Sequence, residues 1–277
     1  MEVQCDVLKN DIDIYYCSAV PDNPKAIVLL LHGYGNHYGY FEDLIKVLYE
    51  NGYGTYAYDH RGHGRSTEER GYIAKFELMV SDVDNVVEYI KSKHKDVPIF
   101  TYGHSMGGLI SFMYGVDNNY KIEGQIFEAA ALGEITGSDM IPEKVFKDFK
   151  EKSPKGRFYP IIRLRSSRSR ERLRSKRSDK YCLKYGTFGL AYEFVCRGIR
   201  KSVVRFSEYT LPCLILHGEK DKIVPYENSI KFYFHINSVD KDIEIYPLMN
   251  HELIFEPEKI VVINKILKWL DSKTLNK

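Results

Sequence analysis

The octapeptide TYGHSMGG (Thr101–Gly108) limits how this chain can fold more than any other stretch: it sets Ser105 inside G-x-S-x-G, directly after an apolar run and directly before a helical pattern. The letters alone are weak evidence. With Gly and Ser each near 7% of residues, they arise by chance in about one chain of this length in ten. The flanks make the match informative. A serine lifted off a sheet needs a sharp strand-to-helix turn, small neighbours such as Gly103 and Gly107, and a helix N-terminus aimed at developing negative charge.

Such a turn needs a parallel sheet around it. Ile12 to Tyr16 alternates like an early strand, and Ala26 to Leu31 is a continuous aliphatic run broken by HGYG, the pattern of a buried strand ending in a tight loop. A helical period from Leu44 to Glu50, the strand GTYAYD, a long amphipathic helix from Phe76 to His94 and the strand VPIFTYG follow. A helix from Gly107 to Val116 and the strand IEGQIFEAA continue the alternation. Beyond an irregular middle come PCLILHG, a helix near Tyr226 to His235, IEIYPL and a closing helix from Glu258 to Leu270. This order predicts an α/β fold with a mostly parallel central sheet flanked by helices. Residues 136–207 break it, so a core of residues 1–135 and 208–277 is expected to carry an inserted cap, or lid.

A serine hydroxyl is a poor nucleophile at neutral pH and needs a histidine base oriented by a carboxylate, in the chain order Ser, Asp or Glu, His. Two histidines follow the later strands. His235 sits in an apolar-periodic helix, where packing or surface exposure is its expected role, whereas His251 sits in a loop just past IEIYPL. In the loop after PCLILHG, Asp221 lies deeper than its competitor Glu219, while Asp240 and Asp242 precede the last strand. The candidate catalytic set is therefore Ser105, Asp221 and His251. Developing negative charge on a substrate oxygen needs two backbone N–H donors. Met106 follows the serine, and Tyr34 follows His32-Gly33 in the early loop, where Gly33 and Gly35 allow a close approach.

Other polar residues point to structure. His60 and His63 lack a third ligand at metal spacing, so no metal is expected there. Asp82 and Asp84 read as a solvated helical face, and Cys213 as a small core residue. Five scattered cysteines (Cys5, Cys17, Cys182, Cys196, Cys213) suggest neither a full disulfide framework nor a zinc site, and fit a reducing, cytoplasmic setting. The start of the chain lacks a charged-then-apolar leader, and no run is long enough to span a bilayer.

Charge is concentrated. From Lys155 to Lys180 eleven Lys or Arg stand against Glu171 and Asp179, in a chain of net charge +2. No aromatic residue interrupts the run between Tyr159 and Tyr181, which argues against nucleic acid. Arginines 163, 165, 168, 170, 172, 174 and 177 would point in all directions from a helix, so a solvated, mobile lid is expected. Peripheral contact with anionic membrane is the functional alternative.

The segments HGYGNHYGYF, GYGTYAYDHRGHGRS, SDV, GHSMGG, LILHGEKDKIVP and NHELIFE occur in this order and resemble monoacylglycerol lipases and related lysophospholipase-like serine hydrolases of the α/β-hydrolase superfamily. The resemblance is close from about 26 to 130 and from 210 to 255. It implies Ser105, Asp221 and His251 as a catalytic triad, Tyr34 and Met106 as oxyanion donors, and no cofactor. It also implies hydrolysis of carboxylic esters, with monoacylglycerol or lysophospholipid as substrate. The cap would roof the acyl site, with Phe146, Phe149, Phe158, Tyr159, Phe188, Tyr192 and Phe194 as candidate lining. Three departures bear on the substrate: Tyr34 is followed by Gly35-Asn36-His37 where the family has a small residue and then Gly-Glu-His, FEAAALGE replaces a turn toward Ser-x-Pro, and SDKYCLKYG stands where the cap usually has Asp-Pro-Leu. Alternative readings are an esterase or thioesterase for non-lipid acyl groups such as phenolic esters, and a non-catalytic or polyanion-binding protein using residues 155–180.

Overall fold

Strands buried on both faces read as unbroken aliphatic runs, because helices must cover each side of a parallel sheet. Ile27–Leu31 behaves in this way, with none of its five side chains exposed. The computed structural model describes residues 1–137, 142–159 and 166–274. In chain order its elements begin β1 (Gln4–Lys9), β2 (Asp13–Ala19), β3 (Ile27–Leu31), α1 (Glu42–Glu50), β4 (Gly54–Tyr58), α2 (Phe76–Lys93), β5 (Ile99–His104), α3 (Met106–Asp117) and β6 (Gly124–Glu128). After an intervening region come β9 (Cys213–Gly218), α8 (Glu227–His235), β10 (Lys241–Tyr246) and α9 (Lys259–Thr274). The intervening elements are α4 (Glu143–Lys152), β7 (Arg157–Phe158), α5 (Arg170–Ser178), β8 (Gly186–Thr187), α6 (Phe188–Ala191) and α7 (Arg200–Val203), with a π-helical turn over Tyr192–Ile199.

Eight strands form one sheet in the order β1-β2-β4-β3-β5-β6-β9-β10. From β4 to β10 neighbours run parallel; β1 and β2 add an antiparallel edge. The two-residue period of a strand divides the core. Ile27, Leu29 and Leu31 pack with Val83, Val87, Leu109 and Ile110 of α2 and α3, whereas Val28 and Leu30 pack with Leu44, Leu48, Ile266 and Leu270 of α1 and α9. Each such side chain contributes about 1.5–3 kcal/mol by leaving water. β7 and β8 pair only with each other, so the described elements between β6 and β9 add nothing to the main sheet.

Three expectations need correction. The reading of the cysteines missed a Cys5–Cys17 disulfide, and with it the edge strand β1. Antiparallel pairing sets these two residues opposite each other with Cα atoms 4.0 Å apart, a neighbourhood that linear spacing does not reveal. Cys182, Cys196 and Cys213 are free and buried. Asp82 is not on a solvated face: it is buried and receives both Arg61 Nε and Nη2 at 2.7 Å. A carboxylate can be buried this way because a guanidinium offers two parallel donors.

The third correction concerns the basic run. Arg163 and Arg165 lie outside the described residues, but α5 is not loosely solvated. Ser169 caps it, accepting from Arg172 N at 3.2 Å. Arg172 Nε and Lys176 Nζ reach the buried Glu252 carboxylate at 3.1 and 2.9 Å, and the Arg172 guanidinium lies over the Phe255 ring, 4.1 Å from its centroid. Arg168 meets buried Glu256 at 2.5 Å and also Glu258. Helical spacing thus sorts the cations: Arg172 and Lys176, four apart, face the core, while Arg170, Arg174 and Arg177 share the exposed face. Among the described residues no helix is long and apolar enough to cross a membrane.

Candidate active site

β5 ends in His104, and the chain turns into α3 at Ser105 with φ +54° and ψ −116°. Side-chain-bearing residues seldom occupy this region, and such strain persists only where the surroundings impose it. Here packing leaves no alternative. A Cβ on Gly107 would stand 2.1 Å from the Leu31 carbonyl oxygen, and one on Gly33 would stand 3.1 Å from Ser105 Cβ. The loop after β3 therefore lies directly against the serine. Ser105 N donates to Glu128 O at 3.0 Å, and Ser105 O accepts from Ala131 N at 3.0 Å, which fixes the turn to the end of β6. Met106 N–H is the first of α3, in the turn whose N–H groups have no carbonyl partner inside the helix.

Asp221 follows β9. Its Oδ1 accepts from Ile223 N and Val224 N at 2.7 and 3.1 Å, and its Oδ2 accepts from His251 Nδ1 at 2.6 Å. A carboxylate can only accept, so Nδ1 of His251 carries the proton and Nε2 is the basic nitrogen. Burial opposes charge on both partners, but their attraction prevails: the Asp221 carboxyl is held well below the usual carboxylate range, and the His251 imidazole is raised. The competitors lie elsewhere. Glu219 pairs with Lys220 at the surface, and His235 contacts the Lys231 carbonyl oxygen within α8.

Around this pair stand residues that sequence reasoning did not single out. His217 Nε2 lies 3.1 Å from Asp221 Oδ2 and 3.0 Å from Val224 O, while its Nδ1 meets Ser229 Oγ at 2.7 Å. His104 stacks on Tyr40 and lies 4.8 Å, centroid to centroid, from His251. Glu128 and Glu252, both fully buried, flank the loop that carries His251. The only signal in the sequence was their place at the end of a strand or beside a chosen histidine.

The early loop is tied to the region between β6 and β9. Tyr34 Oη donates to Tyr185 O at 2.9 Å, and Leu183 N donates to Gly35 O at 2.9 Å. The candidate lining residues divide. Phe149 and Phe158 each stack on Phe188, whereas Phe146, Tyr192 and Phe194 pack with the core cluster that includes Leu109. Tyr159 is 66% exposed and Phe149 48%, so these two face solvent rather than an enclosed acyl site; one contacts Tyr185 and the other Phe188, leaving their outer faces wet.

His60 Nε2 contacts His32 O at 3.0 Å, and His63 Nδ1 contacts Arg61 O at 3.1 Å, so both rings serve a buried loop whose burial favours neutral imidazoles. Among the described residues, one group of potential metal ligands converges: His37, Asp179 and Cys182. His37 Nε2 already meets Asp179 Oδ2 at 2.6 Å, and Lys176, Lys184 and Arg172 direct positive charge at Cys182, which opposes a cation.

Comparison with known proteins assigns the chain to a family and a fold. The profile of the family described as serine aminopeptidase, S33, matches residues 22–258. The chain is 28% identical to a monoacylglycerol lipase of Mycolicibacterium smegmatis, over 94% of each chain. It is 27% identical to a monoglyceride lipase homolog of Monkeypox virus, over 94% of this chain and 95% of that one. Among solved structures, a monoacylglycerol lipase of Paleococcus ferrophilus superposes with a TM-score of 0.84 at 26% identity, over 94% of this chain and 99% of that one. A monoglyceride lipase of Saccharomyces cerevisiae, in complex with a substrate analogue, has the same fold, with a TM-score of 0.84 at 23% identity over 98% and 95% of the two chains.

Proposed function

The chain belongs to the serine aminopeptidase S33 family and has the α/β-hydrolase fold, and on that basis we propose that it hydrolyses carboxylic esters of small lipids, monoacylglycerol or lysophospholipid, through an acyl-enzyme on Ser105. The observation that carries this reading is the 2.6 Å contact between Asp221 and His251, in a protein whose Ser105 is held at a strained strand-to-helix turn. Ser105 attacks the acyl carbonyl as His251 Nε2 takes its proton. The bond between carbonyl carbon and alcohol oxygen breaks, and His251 returns the proton to the departing glycerol. Water then repeats the sequence on the acyl-enzyme and releases the fatty acid. Asp221 fixes the tautomer and stabilises the imidazolium, while the N–H groups of Tyr34 and Met106 receive the charge that develops on the carbonyl oxygen. An ester is favoured over a peptide because the relatives just described bear the names of monoacylglycerol and monoglyceride lipases.

Residues 136–207 serve as the cap. Phe146, Tyr192 and Phe194, supported by Phe188 and Phe158, supply its apolar lining. The exposed Arg170, Arg174 and Arg177 rest the protein on anionic membrane, where such substrates reside; no cofactor takes part. The test is turnover of a panel of monoacylglycerols, lysophospholipids, feruloyl esters and acyl-thioesters by wild type and Ser105→Ala. Wild type is expected to turn over monoacylglycerol or lysophospholipid, and the variant to lose activity on the order of 10⁴-fold or more. Equal rates for the two proteins would sink the proposal.

A further inference from the structure

We propose that Glu128 is a positioning residue for the proposed reaction, joining the turn that bears Ser105 to the loop that bears His251 and facing its negative charge toward the His251 imidazole. Glu128 is the last residue of β6, in register with His104 of β5, and is fully buried. Its main-chain carbonyl accepts from Ser105 N. Its side chain reaches the other way: Oε1 accepts from Ile254 N at 3.3 Å, and Leu253 N also points at the carboxylate, so the 3₁₀ turn immediately after His251 is pinned to it. Tyr102 Oη of β5 donates to Oε2 at 2.8 Å, and Tyr40 Oη donates to both oxygens at 3.3 and 3.4 Å. Tyr40 in turn stacks on His104, whose Nε2 meets the His251 carbonyl oxygen at 3.3 Å. One carboxylate thus binds β5, β6, the turn after the early loop and the His251 loop.

Ala129, the next residue, has φ +44°, a second strained position beside the first. A buried carboxylate is costly, and an apolar side chain would fill the end of a core strand without that cost. Its presence there points to a role that only an acceptor or a charge can perform. The groups facing this region are Tyr40, Tyr102 and His251 around Glu128, and Asp221, Glu252, Glu128 and His104 around His251, with His217 on Asp221 and with Arg172 and Lys176 beyond Glu252. Burial pushes the Glu128 carboxyl up to about 7, against the hydrogen bonds from Tyr102 and Ile254. Glu128 therefore presents its full negative charge above that range, where the imidazole must be neutral to act as a base.

The inference rests on Ser105 and His251 acting as nucleophile and base. His251 works as a base only when neutral, and a neighbouring negative charge raises its pKa. Removing that charge should move the acid limb of kcat/KM to lower pH. In Glu128→Gln, the limb and the His251 pKa read by imidazole NMR should both move to lower pH. Glu128→Asp, which keeps the charge but loses reach to Ile254 N–H, should leave that pKa near wild type. Its kcat should fall on the order of ten- to a hundredfold, with KM little changed. A folded Gln variant with unchanged His251 pKa, or an Asp variant with wild-type kcat, overturns the proposal. If ester turnover is absent from the wild type while the Gln variant still lowers the His251 pKa, the hydrolase reading fails and the electrostatic link stands.

Discussion

Ser105 holds its side chain where it does because Gly107 and Gly33 have none. The conflict a methyl group would meet at Gly107 is with main-chain oxygens of Leu31 and His32, which no rotamer change relieves. Gly107→Ala is therefore expected to lose about 1–3 kcal/mol of stability in urea unfolding, and to lose turnover below its melting temperature as the loop at Gly33 is displaced. Unchanged stability and turnover would contradict this. The candidates Ser105, Asp221 and His251 could be named from the sequence because each stands at a strand end and their order along the chain admits few choices. Glu128 was not: a glutamate closing a strand looks like a solvent-facing end. Its burial depends on Tyr40, Tyr102 and the turn at Leu253 converging from distant segments. Asp82 was misread for a similar reason, since its partner Arg61 lies outside the helical pattern that seemed to explain it.

The basic helix α5 shows where a pattern of charge along the chain misleads. Its net charge suggested a solvated lid because the acids that neutralise it lie some 80 residues away, in the loop after His251. Glu252 is fully buried. Burial would raise its carboxyl, but Lys176 and Arg172 more than offset that and hold it well below the usual carboxylate range. Since its folded pKa lies below the unfolded value of 4.5, the stability it contributes is present above that pH. It is lost as pH falls toward the folded value. Arg172→Ala with Lys176→Ala removes both partners and leaves a buried charge uncompensated, which costs about 3–5 kcal/mol. The double variant is expected to melt lower than wild type at pH 7 and to approach it as acid protonates Glu252, as scanning calorimetry across pH can measure. A deficit independent of pH would refute the pairing. The core elements, by contrast, were readable almost throughout, since each strand or helix of the alternation carries its own period.

Across the whole molecule, helices on both faces of the sheet leave one end of the parallel strands for the site, and the elements between β6 and β9 are tied to that end through Tyr34, Gly35 and Glu252. What the sequence could not reveal is which cations remain free once that docking is complete. Of the cations on α5, Arg170, Arg174 and Arg177 stay exposed. Vesicles containing phosphatidylserine should bind the protein better than neutral ones, with salt weakening the difference. Replacing all three arginines by Gln should remove about 1 kcal/mol each. Equal sedimentation with neutral and anionic vesicles would count against the docking. Acyl-enzyme formation at Ser105 can be read by mass. A fluorophosphonate, which captures an activated serine, should add once to the folded protein, on the peptide containing Ser105, and His251→Ala should label far more slowly while remaining folded. A folded wild type that stays unlabelled, or is labelled on another residue, would contradict an acyl-enzyme at Ser105.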